Sequence, residues 1–276
     1  MTIERFAPSP TGLLHLGHAY SALLAWDASG RFLLRIEDID RPRCKPEFEQ
    51  AIYDDLAWLG LSWPTPVMRQ SDRQPAYNAA LKKLINLDLC YPCNCTRKDI
   101  TQAMSAPQED VTYGPDGPIY PGTCQGRSMD EHTETDAIRL NMRKAIAEIS
   151  RTLIYDEIGG KTPETIQISP EKLLSKVGDI VLARKDIGTS YHLSVVVDDA
   201  DQGITHVTRG RDLISATPVH RLLQELLGLP TPIYRHHRLI RDENGKRLAK
   251  RYDAMAIRKY RDNGASPQDI REMVGL

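Results

Sequence analysis

Two histidines stand three positions apart near the N-terminus, directly after a loop rich in proline and glycine. The loop Pro8–Gly12 precedes His15 and His18, and its residue types favour an irregular backbone over a helix. From Leu16 onward, apolar residues recur at the spacing of one buried helix face. We therefore expect His15 at a helix N-terminus, where unpaired N–H groups and the helix dipole favour a phosphate. A metal-binding pair and two ordinary surface histidines are the alternatives.

A cluster of cations near the C-terminus is the second candidate for phosphate chemistry. Residues 247–251 read Arg-Leu-Ala-Lys-Arg and follow a polar turn. Lys250 on such a loop can approach a polyphosphate from the side opposite the histidine pair, and positioned cations stabilise the charge on reacting phosphates. The sequence therefore predicts catalytic roles for His15, His18 and Lys250, and nucleotide binding by the same three residues with Gly17.

Three of the five cysteines form a possible metal site. Cys93 and Cys95 are separated by one residue, and Cys124 follows across a loop. An odd number of cysteines in this pattern favours thiolate ligands in a reducing compartment over disulfides. Three thiolates leave a tetrahedral zinc ion one ligand short, and the residues alone leave His132 or a water molecule as candidates for it. The other two cysteines are expected to be ordinary thiols.

An alternation of strands and helices must position these residues. Residues 3–6 and 32–36 read as buried strands on either side of a helix from His15 to about Ala28, which is a βαβ unit. Glu37 follows the second strand, at the sheet edge where ligands of open α/β sheets bind. Its carboxylate can face a substrate amine, or it can belong to a charged surface turn.

The second half of the sheet is predicted near the middle of the chain. Residues 178–184 and 204–213 resemble strands, and the valine run within 190–199 is typical of a strand buried on both faces of a parallel sheet. A helix with Pro218 in its first turn should end at Gly228. We predict four regions: a first half of the catalytic domain (1–90), an inserted subdomain (91–175), a second half (176–236) and a C-terminal segment (237–276).

Composition and charge restrict the class of protein further. The chain has 276 residues and a net charge of −1, with no secretion signal and no apolar run of membrane-spanning length. We therefore expect a cytoplasmic protein without membrane contact. Ten Lys or Arg and three acids lie in 235–261, whereas eight acids and one Arg lie in 99–136. This segregation suits a polyanion bound at one face, and a solvated basic face is the alternative.

Both phosphate motifs resemble signatures of class I glutamyl- and glutaminyl-tRNA synthetases. The run from Arg5 to Gly12, followed by His-Leu-Gly-His at 15–18, resembles the first signature. Residues 247–251 resemble the second signature, Lys-Leu-Ser-Lys-Arg, with Lys250 at the position of the key lysine. Arg247 replaces the first Lys and Ala249 replaces the Ser.

The short C-terminal segment and the cysteine-bearing insert resemble one branch of that family, the glutamyl-queuosine tRNA(Asp) synthetases. The resemblance implies an α/β fold, namely the class I synthetase Rossmann-like doubly wound parallel sheet with an inserted zinc-bearing subdomain and a short helical C-terminal piece. It also implies activation of L-glutamate by ATP with Mg without tRNA, and transfer of glutamate to the queuosine of tRNA(Asp). We expect a monomer. The alternatives are a truncated synthetase that charges a tRNA acceptor end, and an inactive paralogue that binds RNA or a partner.

The resemblance also assigns roles to single residues. In the glutamate pocket, Arg5 would bind the side-chain carboxylate and Glu37 the ammonium group. One structural zinc ion would have Tyr120 as the fourth ligand. The implied glutamate-binding residues are Arg5, Ala7, Ser9, Glu37, Tyr191 and Arg209, and the implied zinc ligands are Cys93, Cys95, Tyr120 and Cys124.

Overall fold

The computed structural model describes residues 1–104, 112–149, 151–241 and 255–276. The strands in these ranges are β1 (Ile3–Phe6), β2 (Arg31–Ile36), β3 (Met68–Arg69), β4 (Cys90–Cys93), β5 (Tyr113–Gly114), β6 (Gly117–Pro118), β7 (Ala137–Leu140), β8 (Leu153–Glu157), β9 (Glu164–Ile168), β10 (Val181–Ala183), β11 (His206–Gly210) and β12 (Ile233–His237). The α-helices are α1 (Leu16–Ala28), α2 (Pro46–Trp58), α3 (Gln74–Asn86), α4 (Arg97–Met104), α5 (Met142–Glu148), α6 (Pro170–Lys176), α7 (Tyr191–Asp201), α8 (Thr217–Leu227), α9 (Ile257–Asp262) and α10 (Pro267–Val274).

Parallel strands form the centre of the fold, as predicted. β2 pairs in parallel with β1 and β3, and β12 pairs in parallel with β11 and β8. The two groups meet at β1 and β11, where the Thr205 N–H donates to the Ile3 carbonyl at 3.0 Å. The Thr208 hydroxyl also donates to the buried Glu4 carboxylate of β1 at 3.0 Å. The strand order therefore reverses between β1 and β11, and such a reversal opens a ligand crevice beyond the carboxyl ends of the strands.

Helices cover both faces of this sheet because side chains alternate along its strands. Leu33 of β2 packs into a cluster with residues of α3, α7 and α8. Its neighbours Phe32 and Leu34 pack into a second cluster with residues of α1, α2 and α10. β2 therefore lies between two apolar layers.

The valine run is a helix, so the strand predicted within 190–199 was wrong. The Ser190 hydroxyl accepts a hydrogen bond from the Leu193 N–H and caps α7. Leu193, Val195 and Val196 are all buried. A helix that is enclosed on every side carries apolar residues at consecutive positions, as a doubly buried strand does, and periodicity cannot separate the two.

The helix predicted around Pro218 is confirmed, whereas the strand predicted within 178–184 exists but belongs to a different sheet. α8 has Pro218 in its first turn and ends at Gly228, whose φ of 67° is left-handed, as predicted. β10 confirms a strand within 178–184, but it pairs antiparallel with β7 in a separate three-stranded sheet with β4. The parallel sheet instead contains β8, which lies inside the range 91–175 assigned to the insert. The division into four regions stays a prediction.

The C-terminal helices pack against the start of α1. Ile257, Ile270 and Val274 belong to the same buried cluster as Leu16 and Ala19. The Ile257 N–H donates to the carbonyl of Leu14 at 2.8 Å, so the chain beyond the cationic segment returns to the histidine-bearing loop. Within the described ranges, no helix combines the length and the apolar character needed to cross a membrane.

Candidate functional site

A cavity of about 540 Å³ lies at the reversal of strand order, beside the N-terminus of α1. Its walls come from β1, β11, α7 and the loops after β1 and β2. Lys250 and the other residues of 247–251 lie outside the described residues. The cavity brings together every other residue predicted for nucleotide or glutamate binding: Arg5, Ala7, Ser9, His15, Gly17, His18, Glu37, Tyr191 and Arg209.

Hydrogen bonds at the start of α1 set the tautomers of the histidine pair. His15 is the N-cap residue, and its Nδ1 accepts from the Gly17 N–H at 3.1 Å. The Nδ1 of His18 accepts from the His15 N–H, also at 3.1 Å. A neutral imidazole whose Nδ1 accepts carries its hydrogen on Nε2. Each ring of the pair therefore carries its hydrogen on Nε2, beside a helix N-terminus of the kind that suits a phosphate group.

Gly17 leaves space for the His15 ring. A Cβ atom at position 17 would lie 3.0 Å from Cε1 and 3.1 Å from Nδ1 of His15. Such contacts are shorter than normal van der Waals separations, so any larger residue here would push the ring from its place. The requirement for glycine in the His-x-Gly-His motif is thus steric.

Two buried arginines share one carboxylate beneath the cavity. Asp199 of α7 accepts from Nε of Arg5 at 2.9 Å and from a terminal nitrogen of Arg35 at 2.7 Å. Burial alone would raise the pKa of Asp199, but the charges of Arg5 and Arg35 outweigh burial and hold that pKa below its usual range. Asp198, the neighbouring residue, accepts from the Tyr77 hydroxyl at 2.8 Å. Together these bonds join α7 to β1, β2 and α3.

Sequence reasoning missed Arg35, Asp198 and Asp199. A signal was present for Arg35, because a charged residue in an otherwise apolar strand needs a buried partner. No pattern in the sequence identified Asp199 as that partner, since it lies 164 positions away. Because residues 190–199 were predicted to form a strand, the helix that carries both aspartates to the sheet was not predicted.

Arg5 and Glu37 place opposite charges in the same cavity. Only Nε of Arg5 bonds Asp199, and its terminal nitrogens make no hydrogen bond to other residues in the described part of the chain. These nitrogens are suited to a bidentate carboxylate. Glu37 accepts from Arg35 at 3.2 Å, and burial raises the pKa of its carboxyl by more than the charge of Arg35 lowers it. A cation and a carboxylate thus lie in one cavity.

Arg209 of β11 is held by neutral partners. Its Nε donates to Nε2 of His236 at 3.1 Å, and one terminal nitrogen donates to the Thr217 hydroxyl at 2.8 Å. The other terminal nitrogen is 3.1 Å from Nδ1 of His220. Burial and then the charge of Arg209 lower the pKa of His236 to about 4, so this histidine is uncharged at neutral pH. Nδ1 of His236 contacts Glu157.

The predicted zinc ligands form a second, separate cluster. The thiols of Cys93, Cys95 and Cys124 all lie within 4.8 Å of one another. The Tyr120 hydroxyl is 3.4 Å from the sulfurs of both Cys93 and Cys95. A tetrahedral zinc ion with Zn–S bonds of about 2.3 Å separates its sulfur ligands by roughly 3.8 Å. The donor types and their spacing therefore fit one zinc ion.

The surroundings of Tyr120 distinguish the candidates for the fourth ligand. The Tyr120 hydroxyl accepts from the Cys124 N–H at 2.8 Å and lies against the thiols, and the guanidinium of Arg139 lies 3.9 Å from the centre of the Tyr120 ring. His132 is exposed, and among the described residues the group of metal-binding side chains around these thiols does not include it. Cys44 and Cys90 lie outside the cluster, and neither forms a disulfide in the described part of the chain.

A doubly wound sheet with a ligand crevice at the reversal of strand order defines an open α/β protein. A model of the catalytic domain of class I tRNA synthetases (E and Q) matches residues 2–276. The chain therefore belongs to the class I tRNA synthetase family, and the predicted fold class is confirmed.

Curated relatives match the chain over almost its full length. A glutamyl-Q tRNA(Asp) synthetase from Rhodobacter capsulatus is 56% identical over 281 residues, which cover 99% of this chain and 100% of that protein. A glutamyl-Q tRNA(Asp) synthetase from Nocardia farcinica is 42% identical, with 96% of this chain and 81% of that protein covered.

Solved structures share the fold. A glutamate-tRNA synthetase from Elizabethkingia anophelis superposes with a TM-score of 0.75 at 25% identity and covers 100% of this chain. The chain spans 61% of the length of that synthetase.

We predict that Asp199→Asn destabilises the protein by about 3–5 kcal/mol at pH 7, because the buried Arg5 then has no ion-pair partner among the described residues, while Arg35 keeps only Glu37 and Asp198. The pKa of Asp199 is lowered in the folded state, so its stabilisation exists above the unfolded value of about 3.9 and is lost as pH falls through the folded pKa. Urea unfolding from pH 7 to pH 3 should therefore show the difference between variant and parent shrinking at the acid end.

Asp201→Asn is the matched control for this prediction. Asp201 is on the same helix, and its side chain is 49% exposed beside Arg73. Loss of an exposed ion pair costs less than about 1 kcal/mol. Equal losses in the two variants would contradict a special role for Asp199.

Proposed function

We propose that this chain activates L-glutamate with ATP and transfers the glutamate to the queuosine base in the anticodon of tRNA(Asp). The observation that supports this proposal best is one cavity that is lined by Arg5 and Arg209, by the Glu37 carboxylate and by the histidine pair at a helix N-terminus. The identity of 56% to a glutamyl-Q tRNA(Asp) synthetase over the whole chain supports the choice of acceptor. We place this reaction in the cytoplasm.

The amino-acid end of the cavity suits glutamate by charge. Arg5 and Arg209 provide cations for carboxylates, and Glu37 provides an anion for the ammonium group. Charge-assisted hydrogen bonds of this kind contribute on the order of 1.5–3 kcal/mol each. Glutamine would leave one arginine facing a neutral amide, which accounts for a preference for glutamate. Ala7, Ser9 and Tyr191 complete the glutamate pocket.

The nucleotide end suits attack of the glutamate α-carboxylate on the α-phosphate of ATP, with release of pyrophosphate. The protein contributes mainly position and charge stabilisation in such reactions. We assign these tasks to the Nε2–H groups of His15 and His18 and to Lys250. Magnesium would enter with ATP as part of the substrate and would compensate part of the phosphate charge.

We also propose that Cys93, Cys95, Cys124 and Tyr120 hold one zinc ion. The cluster packs between β4 and the loop that carries Cys124, away from the residues that line the cavity of about 540 Å³. A zinc ion with four protein ligands stabilises the insert and has no open position for catalysis.

A transfer assay tests the acceptor. Radiolabelled glutamate should be incorporated into tRNA(Asp) that carries queuosine, and not into the same tRNA with guanosine at that position, because only the modified base supplies the hydroxyls for an ester. The control is tRNA(Glu). Labelling of tRNA(Glu) at its acceptor end, with none of queuosine-bearing tRNA(Asp), would favour a truncated synthetase instead.

Gly17→Ala tests the histidine pair. The added methyl group must displace the His15 ring, and misplacing a catalytic group by up to about 1 Å costs up to roughly 100-fold in rate. Glutamate-dependent exchange of pyrophosphate into ATP should fall by roughly 10- to 100-fold, with unchanged thermal unfolding. Gly126→Ala is the control, since a Cβ at that position has nothing within 4 Å. Full exchange activity in Gly17→Ala would argue against the role of His15.

Metal analysis tests the zinc proposal. The purified protein should contain about one zinc per chain, and Cys124→Ser should lower both the zinc content and the thermal stability, since binding of a structural metal is coupled to folding. Cys44→Ser is the matched control and should retain the metal. A stable parent protein without zinc would disprove the assignment.

A further inference from the structure

A continuous line of hydrogen bonds runs from Arg209 to the insert. The terminal nitrogen of Arg209 is 3.1 Å from Nδ1 of His220, and Nε2 of His220 is 3.0 Å from Nδ1 of His192. Nε2 of His192 is 3.0 Å from a carboxylate oxygen of Asp116. His220 and His192 are buried, whereas the Asp116 side chain is 55% exposed in the turn between β5 and β6. None of these three residues had a role in the sequence reasoning.

The chemistry of arginine sets the direction of every bond in this line. A guanidinium only donates, so Nδ1 of His220 must accept and its hydrogen must be on Nε2. That Nε2–H donates to Nδ1 of His192, which places the second hydrogen on Nε2 of His192. The last Nε2–H then donates to Asp116, which is an acceptor. The hydrogen bonds therefore place a hydrogen on Nε2 of both His220 and His192.

This arrangement orients Arg209 without neutralising it. No carboxylate lies within 4.0 Å of the Arg209 guanidinium in the described part of the chain, in contrast to Arg5 and Arg35, which share Asp199. Glu157 and Asp116 are separated from Arg209 by one and two imidazole rings. Burial, and then the positive charge of Arg209, lower the pKa of His220 well below its ordinary value, so it stays uncharged at neutral pH.

The geometry also leaves donors on Arg209 for a ligand. His236, His220 and Thr217 each accept one hydrogen bond, and a guanidinium has five N–H groups. Two N–H groups thus remain on a cation that lines the cavity. A fixed guanidinium with its full charge binds a carboxylate more strongly than one already paired with an acid.

We propose that His220, His192 and Asp116 are positioning residues that hold Arg209 for glutamate binding while preserving its charge, so that the β5–β6 turn of the insert contributes to amino-acid selection. This inference rests on the proposed function, because it takes glutamate as the ligand of Arg209. It adds an effect of the insert on the amino-acid cavity that is separate from the zinc cluster.

Steady-state pyrophosphate exchange with varied glutamate and varied ATP tests this proposal. His220→Leu removes the acceptor and should raise the KM for glutamate roughly 10-fold or more, with little change in the KM for ATP. His220→Gln keeps an acceptor for Arg209 and a donor for His192, so it should recover most of the glutamate affinity. Asp116→Ala should raise the glutamate KM roughly threefold, and Asp116→Asn should restore it.

The matched control is His206→Leu, which removes a histidine from the same strand as Arg209 but outside the line of hydrogen bonds, where the ring bonds Thr205. Its KM for glutamate should equal that of the parent. An unchanged glutamate KM in His220→Leu and Asp116→Ala would overturn the proposal, as would equal rises in both KM values without rescue by His220→Gln. Absence of glutamate-dependent exchange in the parent would instead refute the proposed function itself.

Discussion

The geometry of the cavity depends on one interaction, the shared ion pair of the Asp199 carboxylate with Arg5 and Arg35. This carboxylate binds Arg5 of β1 and Arg35 of β2 from a third element, α7. Two guanidinium groups buried side by side would repel each other and would lack water to solvate them. One shared carboxylate compensates part of this charge and fixes Nε of Arg5, so that the terminal nitrogens of Arg5 stay in a defined direction. The cavity therefore depends on a contact between segments far apart in sequence.

The two arginines of the cavity are held by different means. Arg5 has a charged partner that Arg35 also uses, whereas Arg209 is held by neutral histidines and a threonine hydroxyl. A carboxylate partner gives strong orientation but reduces the positive field in the cavity. A neutral acceptor gives orientation and leaves the field intact. Both means together give a site whose two arginines are held in place and whose positive charge is only partly neutralised, which is the property that the proposed binding of glutamate needs.

The local sequence predicted those parts of the site that follow from neighbouring residues. Proline, glycine and histidine at the start of α1 indicated a phosphate-binding helix end, and the structure shows His15 as its N-cap. Closely spaced cysteines indicated a metal site, and the thiols lie together. The valine run was misread, because a fully enclosed helix and a doubly buried strand both require apolar residues at consecutive positions. Because this helix was not predicted, Asp198 and Asp199 were not assigned a position in the fold.

The sequence by itself determined the residue types: a histidine pair at a helix start, cations near both termini, a carboxylate after the second strand and a thiolate cluster. These signals are short in range, because capping, turn formation and metal ligation involve residues close together in the chain. Only the tertiary structure decided which charges meet. Asp199 reaches Arg35 across 164 positions, and Asp116 reaches His192 across 76. Such pairings arise from strand order and helix packing, which no local pattern of residues encodes.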